Sequence, residues 1–171
     1  MPKYVALLRG IGPSNPNMHQ KKLEGVLDEL GFSNVKAVVS SGNVIFDSPS
    51  KDIPKLEAKI EAAWPAKLGF NSSTIVRSHE QLQALVDADP YNGASHSRES
   101  YLLVTFFKRP PTGLKNNYYD VLGVNALCST IDTTSAKTPD FMAKLDRQFG
   151  KGQITSRTWK TIERILQKMS A

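Results

Sequence analysis

The sequence predicts an α+β fold with two ferredoxin-like subdomains of the βαββαβ type, each with an antiparallel sheet, the second one irregular. Residues 1–77 carry β-rich runs and helical apolar stripes in the order βαββαβ. Because crossovers are right-handed and a hairpin joins strands 2 and 3, this order gives a 4-1-3-2 sheet with both helices on one face. A less regular set of runs follows residue 91. We therefore expect subdomain 1 at 1–77, a bridging helix at 78–90, and subdomain 2 with a C-terminal helix at 91–171.

The first strand and the first helix follow from local patterns. Residues 4–8 form a short apolar run, which glycines and prolines between positions 10 and 16 bring to an end. The helix that follows has apolar residues spaced at i, i+3, i+4 and i+7, and it stops at Gly31. These apolar residues are Leu23, Val26, Leu27 and Leu30.

A hairpin, a second helix and a closing strand complete the first half. The β-rich runs 35–39 and 44–46 are joined by Ser40-Ser41-Gly42-Asn43, which predicts a tight turn. The second helix is predicted to end near Pro65, and residues 74–76 form the closing strand. The apolar stripe of this helix consists of Ile53, Leu56, Ile60, Ala63 and Trp64.

The second half is predicted with less regularity. Ser78 and Gln81 have the spacing of a capping box, which predicts a short helix ending before Pro90. Residues 101–107 are the strongest β-rich run, and residues 121–124 and 127–131 predict a hairpin. Two helices follow, the first closed by Gly150 and the second at the C-terminus. Their apolar residues are Phe141, Leu145 and Phe149, and then Trp159, Ile162, Leu166 and Met169.

Composition and charge narrow the class of protein. Apolar residues make up 40% of the chain and charged residues 22%, which is typical of a globular protein. The single cysteine, Cys128, excludes an internal disulfide and fits a reducing compartment. The apolar run before Arg9 is too short for a signal peptide or a membrane helix, so we expect a cytoplasmic protein with no membrane partner.

The chain is basic, with a net charge of +6 and a pI near 9.4. The first 77 residues hold ten basic and seven acidic side chains, and the remainder hold twelve and nine. The excess is therefore spread evenly, with no basic tail. A basic protein favours anionic partners, but an even distribution is a weak indication of nucleic-acid binding.

Four ordered motifs resemble a known family. They are Tyr4-Val5-Ala6-Leu7-Leu8-Arg9-Gly10-Ile11, Ser41-Gly42-Asn43-Val44-Ile45-Phe46, Ile75-Val76-Arg77-Ser78 and Ile154-Thr155-Ser156-Arg157-Thr158-Trp159-Lys160-Thr161. Together they resemble DUF1697, a bacterial family of unknown function. The resemblance implies two ferredoxin-like subdomains and carries no established activity. Two positions depart from the family pattern: Gly12 to Asn17 replace an asparagine and a glycine-rich stretch, and Thr158 replaces the asparagine before the tryptophan.

The predicted topology brings several polar residues to one edge of the first sheet. Strands 1 and 3 are antiparallel, so the end of strand 1 meets the start of strand 3, and Asn71 and Ser72 flank the same edge. Arginine, amide and hydroxyl groups beside a helix N-terminus suit a phosphate or a carboxylate. The alternative is that these residues only end a strand and form turns. The candidate anion-binding residues are Arg9, Gly10, Ser41, Gly42 and Asn43.

A second candidate is a basic ridge on the terminal helix. At 100° per residue its members fall within roughly an 80° sector, opposite the apolar stripe, where they suit phosphate contacts of a nucleic acid. The alternative is an ordinary solvated face. The members of this ridge are Arg157, Lys160, Arg164 and Lys168.

No residue pattern indicates catalysis, a cofactor or a metal. His19, His79 and His96 are scattered without acidic neighbours at ligand spacing, so no metal site is expected. Cys128 lies within a predicted strand and is expected to be buried rather than nucleophilic. Nucleophile-elbow, Walker and dinucleotide-binding motifs are absent from the sequence.

Three function classes stay open on these grounds. A nucleic-acid module would stack bases on Tyr4 and Phe46, which the pairing of strands 1 and 3 places side by side. An enzyme for a small phosphorylated or acyl substrate would use Arg9 with Asn43, by analogy with acylphosphatases of the same fold. The class we favour is a non-catalytic ligand-binding or interaction protein with an anion-binding edge. Its expected partners are a small anionic ligand and a second copy of the chain.

Overall fold

Two four-stranded antiparallel sheets make up the fold, each covered by helices. The structure is a computed structural model that describes residues 1–9, 19–39, 42–93, 100–114, 116–132 and 138–170. The chain divides into two compact units, Met1–His79 with Arg164–Ala171, and Glu80–Glu163. The α+β class with two antiparallel sheets, predicted from the sequence, is confirmed.

The first sheet has the predicted strand order, β2-β3-β1-β4. Val5 of β1 pairs with Ile45 of β3 on one side and with Arg77 of β4 on the other. Each of the two helices follows the stripe expected of it. The elements of this unit are β1 (Lys3–Leu8), α1 (Gln20–Glu29), β2 (Ser33–Ala37), β3 (Asn43–Asp47), α2 (Ile53–Leu68) and β4 (Thr74–Ser78).

The core of the first unit lies between this sheet and its two helices. Alternate strand residues point into it because successive side chains of a strand face opposite sides. The tryptophan of α2, Trp64, is fully buried, and its Nε1 donates to Thr74 Oγ1 at 2.9 Å. The buried core residues are Tyr4, Ala6, Leu8, Leu23, Val26, Leu27, Val44, Phe46, Leu56, Ile60, Ala63, Trp64, Phe70 and Val76.

Helix α2 runs one turn beyond the predicted end near Pro65. Proline lacks the N–H that would bond to the carbonyl four residues earlier, which normally ends or kinks a helix. Here the helix continues to Leu68 and ends at Gly69, which has a φ of 75° and donates its N–H to Trp64 O at 3.1 Å. The buried Trp64 ties this last turn to the sheet, so tertiary packing offsets the hydrogen bond lost at Pro65.

Two carboxylates of α2 cover the outer edge of β4. Glu61 Oε1 accepts the N–H of Thr74, and Glu57 Oε2 accepts the N–H of Val76, both at 2.9 Å. Thr74 and Val76 are two apart, so their N–H groups point to the same side, away from β1. An edge strand with open N–H groups invites pairing with another chain. The helix therefore closes these two edge positions of the sheet.

The second sheet has the order β6-β7-β5-β8, which repeats the arrangement of the first. Between β5 and β6 the described residues contain no helix, and this is where the second half is irregular. Phe107, Leu145 and Ile154 form a buried cluster in this unit. The elements are α3 (His79–Asp87), β5 (Ser100–Phe107), β6 (Tyr118–Tyr119), β7 (Ala126–Asp132), α4 (Thr138–Phe149), β8 (Ile154–Thr158) and α5 (Trp159–Met169).

The predicted strand at 121–124 is wrong. Val121–Gly123 is a tight turn, with Leu122 at a φ of 54° and Gly123 at 75°. These left-handed values are incompatible with an extended strand. The short edge strand is instead Tyr118–Tyr119, which pairs with Leu127 and Ala126 of β7.

The compact units differ in two places from the predicted subdomain boundaries. Apart from His79, helix α3 lies in the second unit rather than forming a separate bridge at 78–90. Helix α5 begins in the second unit, and from Arg164 onward it belongs to the first. Its buried residues Ile165, Leu166 and Met169 therefore belong to the first unit.

Candidate functional site

Arg9 follows the end of β1, and the side chain of Ser72 holds its backbone. The Arg9 N–H donates to Ser72 Oγ at 3.0 Å, and the Ser72 hydroxyl donates to the Arg9 carbonyl at 2.7 Å. Ser72 is buried, whereas Arg9 is half-buried. One hydroxyl thus satisfies both backbone groups of Arg9 and fixes the point from which the guanidinium extends.

Gly42 and Asn43 lie beside Arg9 at the start of β3. The N–H of Leu8 donates to Gly42 O at 2.9 Å, and Leu7 pairs with Asn43 across the sheet. Gly42 has a φ of 80°, which favours glycine, so the turn itself requires this residue. Asn43 is only 1% exposed, which makes it a polar side chain inside the edge.

The structure therefore brings Arg9, Gly42 and Asn43 to one sheet edge, as the strand pairing predicts. Gly10 and Ser41, also predicted for this site, lie outside the described residues. The predicted topology places Ser72 at the same edge, but it gives no indication of the two hydrogen bonds between Ser72 and the backbone of Arg9. A serine two residues before a strand carries no signal for such a contact, because its partner is 63 residues away.

The polar groups at this edge include hydrogen-bond donors that suit an anion. A guanidinium donates several hydrogen bonds in a planar fork that matches a phosphate or a carboxylate. Among the residues that the structure describes, no group of three or more His, Cys, Asp or Glu could hold a metal ion.

The basic ridge is not a single helical surface. Arg157 lies in β8, before the first residue of α5, so its predicted position on the helix is wrong. Its Nη1 donates to Thr155 Oγ1 at 2.8 Å and to Ser156 O at 2.9 Å. Lys160, Arg164 and Lys168 are exposed residues of α5, but Lys160 belongs to the second compact unit, whereas Arg164 and Lys168 belong to the first. Their binding of nucleic acid stays a prediction.

The aromatic pair considered for base stacking is inside the core. Tyr4 and Phe46 are neighbours as expected, with ring centroids 5.6 Å apart, but they are 3% and 0% exposed. They face the helices of the first unit rather than solvent. Stacking of bases on this pair, the expectation for a nucleic-acid module, is therefore wrong.

Cys128 is buried in β7, as predicted, beside Tyr91. Burial raises the pKa of the Cys128 thiol to about 12, although the neighbouring Tyr91 hydroxyl partly opposes this. Tyr91 donates to Leu103 O at 2.6 Å, and burial raises its pKa as well. A thiol that stays protonated at neutral pH is a poor nucleophile.

A comparison of the sequence with known protein families identifies the family of this chain. A family model described as "Protein of unknown function (DUF1697)" matches residues 1–120. The chain belongs to the DUF1697 family. The resemblance read from the sequence motifs is thereby confirmed, although the motif at Ile154–Thr161 lies beyond the matched residues.

One solved structure extends the similarity of this DUF1697 protein over its whole length. It is that of a conserved bacterial protein from Streptococcus pneumoniae, with 22% identity and a TM-score of 0.77. The alignment covers 100% of this chain and 99% of that one. At this identity the likeness concerns the fold, and no activity follows from it. No curated protein matches the chain.

Proposed function

We propose that this DUF1697 protein is a non-catalytic, cytoplasmic binding protein that takes a small anionic ligand, a phosphate or a carboxylate, at the edge formed by Arg9, Gly42, Asn43 and Ser72. The family itself is one of unknown function. The proposal concerns binding because the described part of this edge offers a positive charge and hydrogen-bond donors rather than a nucleophile with its base.

The observation that carries the proposal is the double hydrogen bond between Ser72 and the backbone of Arg9. A side chain that extends from a fixed backbone loses less freedom when it meets a ligand, so more of the interaction energy appears as affinity. Arg9 is half-buried, which lowers the local dielectric and strengthens its attraction for an anion. The buried amide of Asn43 adds a neutral polar group beside it.

The charge of the whole chain supports the class of ligand. A net charge of +6 attracts small anions and raises their rate of encounter. None of the helices in the described ranges combines the length and the apolar character needed to cross a membrane. The even spread of basic residues favours a small ligand over a long polyanion, whose binding calls for a continuous basic stripe.

The test is a thermal-shift and calorimetry titration with inorganic phosphate and acetate. At a ligand concentration a hundredfold above Kd, a bound anion should stabilise the native chain by about 2.7 kcal/mol. Arg9→Ala should remove this stabilisation, whereas Arg164→Ala, which deletes an exposed arginine on α5, should retain it. Ser72→Ala keeps the charge but releases the Arg9 backbone, so it should weaken binding to an intermediate degree.

Equal losses of anion-induced stabilisation in the Arg9→Ala and Arg164→Ala variants would show that the anion responds to the net charge of the chain rather than to one site. That result would overturn the proposal. Circular dichroism of each variant before titration separates loss of binding from loss of folding. A folded Arg9→Ala protein that is still stabilised by phosphate would contradict the proposed site directly.

A further inference from the structure

A solvent-exposed apolar tip projects from the second unit. Val121 and Leu122 are 42% and 62% exposed, and Asp120 beside them is exposed as well. Leu122 also has a φ of 54°, a left-handed conformation that leucine rarely adopts. Leucine is thus unfavourable here, because its apolar side chain is exposed and its backbone conformation is strained. An asparagine or a glycine at this position would avoid both costs.

The tip is held in place rather than loosely exposed. Gln81 Nε2 donates to Leu122 O at 3.0 Å, and Gln81 is itself buried. The N–H of Val124 donates to Val121 O at 3.0 Å, and the side chain of Val124 is fully buried. The turn is therefore anchored on both sides, which keeps Leu122 in its strained and exposed conformation.

A groove between α1 and α2 lies on the first unit. Its volume is about 390 Å³, and a glycine in the middle of α1 forms part of its wall. A Cβ built on Gly25 would meet no atom of the described residues within 4 Å, so packing against this part of the chain does not require a glycine. Alanine would be the better helix former at this position. The groove is lined by Lys22, Gly25, Val26, Glu29, Lys67 and Leu68.

We propose that the tip of one copy of the chain inserts into the α1–α2 groove of a second copy, with Leu122 lying against Gly25. A glycine lets the backbone or a side chain of another chain approach closely. Such a contact would explain a glycine at position 25, which helix α1 itself does not require. Insertion would bury Leu122, and this burial would offset the unfavourable exposure of its side chain.

Charge complementarity identifies a second copy as the occupant. Two lysines and one glutamate line the groove, where Lys67 and Glu29 already form an ion pair at 2.8 Å, so the groove carries a net positive charge. The tip carries Asp120 next to its apolar residues. An acidic and apolar tip thus meets a groove of net positive charge whose lining includes Val26 and Leu68, and both belong to the same chain. The contact is head-to-tail, so it either closes into a ring or extends into a chain of copies.

The first test measures self-association of variants that should not harm the fold. By light scattering, the mass of the wild-type protein should rise above 18.9 kDa between about 10 μM and 1 mM, as expected for a small interface. Leu122→Asn relieves the backbone strain, and Gly25→Ala strengthens α1. Both variants should have melting temperatures no lower than that of the wild type. The dissociation constant of their self-association should nevertheless be at least about tenfold higher. Arg9→Ala should leave association unchanged.

The second test reverses the charges. Asp120→Lys and Lys22→Glu should each weaken association, whereas an equimolar mixture of the two variants should associate again, because a lysine tip meets a glutamate groove. Matched controls are Glu163→Lys and Lys21→Glu, which alter exposed charges on α5 and on α1 outside the groove. These controls should associate like the wild type.

Four results would overturn the proposal. The first is a chain that stays at 18.9 kDa at every concentration. The second is association that Leu122→Asn and Gly25→Ala leave unchanged. The third is a charge-reversed mixture that behaves like its separate components. Binding of the tip to anionic lipid vesicles without self-association would likewise assign it to a membrane instead.

Discussion

At the scale of single residues, burial rather than distance decides which ion pairs affect the free energy of unfolding. Arg77 Nη1 lies 3.8 Å from Glu57 Oε2, and these side chains are only 4% and 6% exposed. Lys67 and Glu29 are closer, at 2.8 Å, but their side chains are 48% and 60% exposed. Water screens the second pair, whereas removing one partner of the first leaves a charge without its partner in the interior.

We therefore expect Glu57→Ala to lower the free energy of unfolding by about 3–5 kcal/mol. The loss includes the hydrogen bond from Val76 N–H to Glu57 as well as the ion pair. Glu29→Ala is the matched control and should cost less than about 1 kcal/mol. Urea denaturation of both variants measures the difference, and equal effects would contradict the role assigned to burial.

Burial also makes the free energy of unfolding depend on pH in the alkaline range. The pKa values of Cys128 and Tyr91 are raised in the folded chain, Cys128 to about 12. The unfolded chain therefore loses these protons at lower pH than the native chain does. The stabilisation is fully present below the unfolded pKa of the thiol, near 9, and is lost as pH rises from there towards the folded values.

We accordingly expect the free energy of unfolding to fall between pH 9 and pH 11, with a smaller slope in Cys128→Ala. Urea denaturation at several pH values measures this slope. The native thiol should also react with iodoacetamide at pH 8 far more slowly than the unfolded thiol. Rapid alkylation of the folded chain would show that Cys128 is accessible.

At the scale of elements, a side-chain cap begins the last helix. Thr158 Oγ1 accepts the N–H of Thr161 at 3.2 Å, which satisfies one of the unbonded donors at the start of α5. Asparagine is also a preferred N-cap, so an asparagine at this position could satisfy the same donor.

Thr158→Ala should lower the free energy of unfolding by about 1 kcal/mol through loss of this cap. Thr158→Asn should be as stable as the wild type within a few tenths of a kcal/mol, because asparagine accepts the same hydrogen bond. Thermal denaturation of the two variants makes the comparison. If Thr158→Asn were as damaging as Thr158→Ala, the side chain of Thr158 would matter for something other than capping.

At the scale of the whole molecule, the two sheets repeat one arrangement without a visible sequence repeat. The last strand of each sheet carries an arginine, followed by a serine or threonine and a helix. Arg77 pairs with Val5, and Arg157 pairs with Val104, at the corresponding central strands. Each arginine donates to the carbonyl of the residue before it, at 2.8 and 2.9 Å. The repetition therefore extends from strand order to the hydrogen bonds of one side chain.

The first sheet and its helices could be predicted from local sequence patterns alone. Apolar spacing is a local property, and it separates helices from strands wherever the period is clear, as in Leu23, Val26 and Leu27. Strand order then follows from the handedness of crossovers and from the hairpin at Gly42. The edge that gathers Arg9, Gly42 and Asn43 could be predicted for the same reason, since antiparallel pairing places these positions side by side.

The features that depend on distant partners could not be predicted from local sequence patterns. Trp64, held by Thr74, carries α2 past Pro65, and pairing with β7 selects Tyr118–Tyr119 rather than residues 121–124 as the edge strand. Arg157 lies on a strand because β8 pairs with β5. Local preferences are worth about 1 kcal/mol or less for most residues and about 3 kcal/mol for a proline inside a helix, so contacts between residues far apart in the chain can override them.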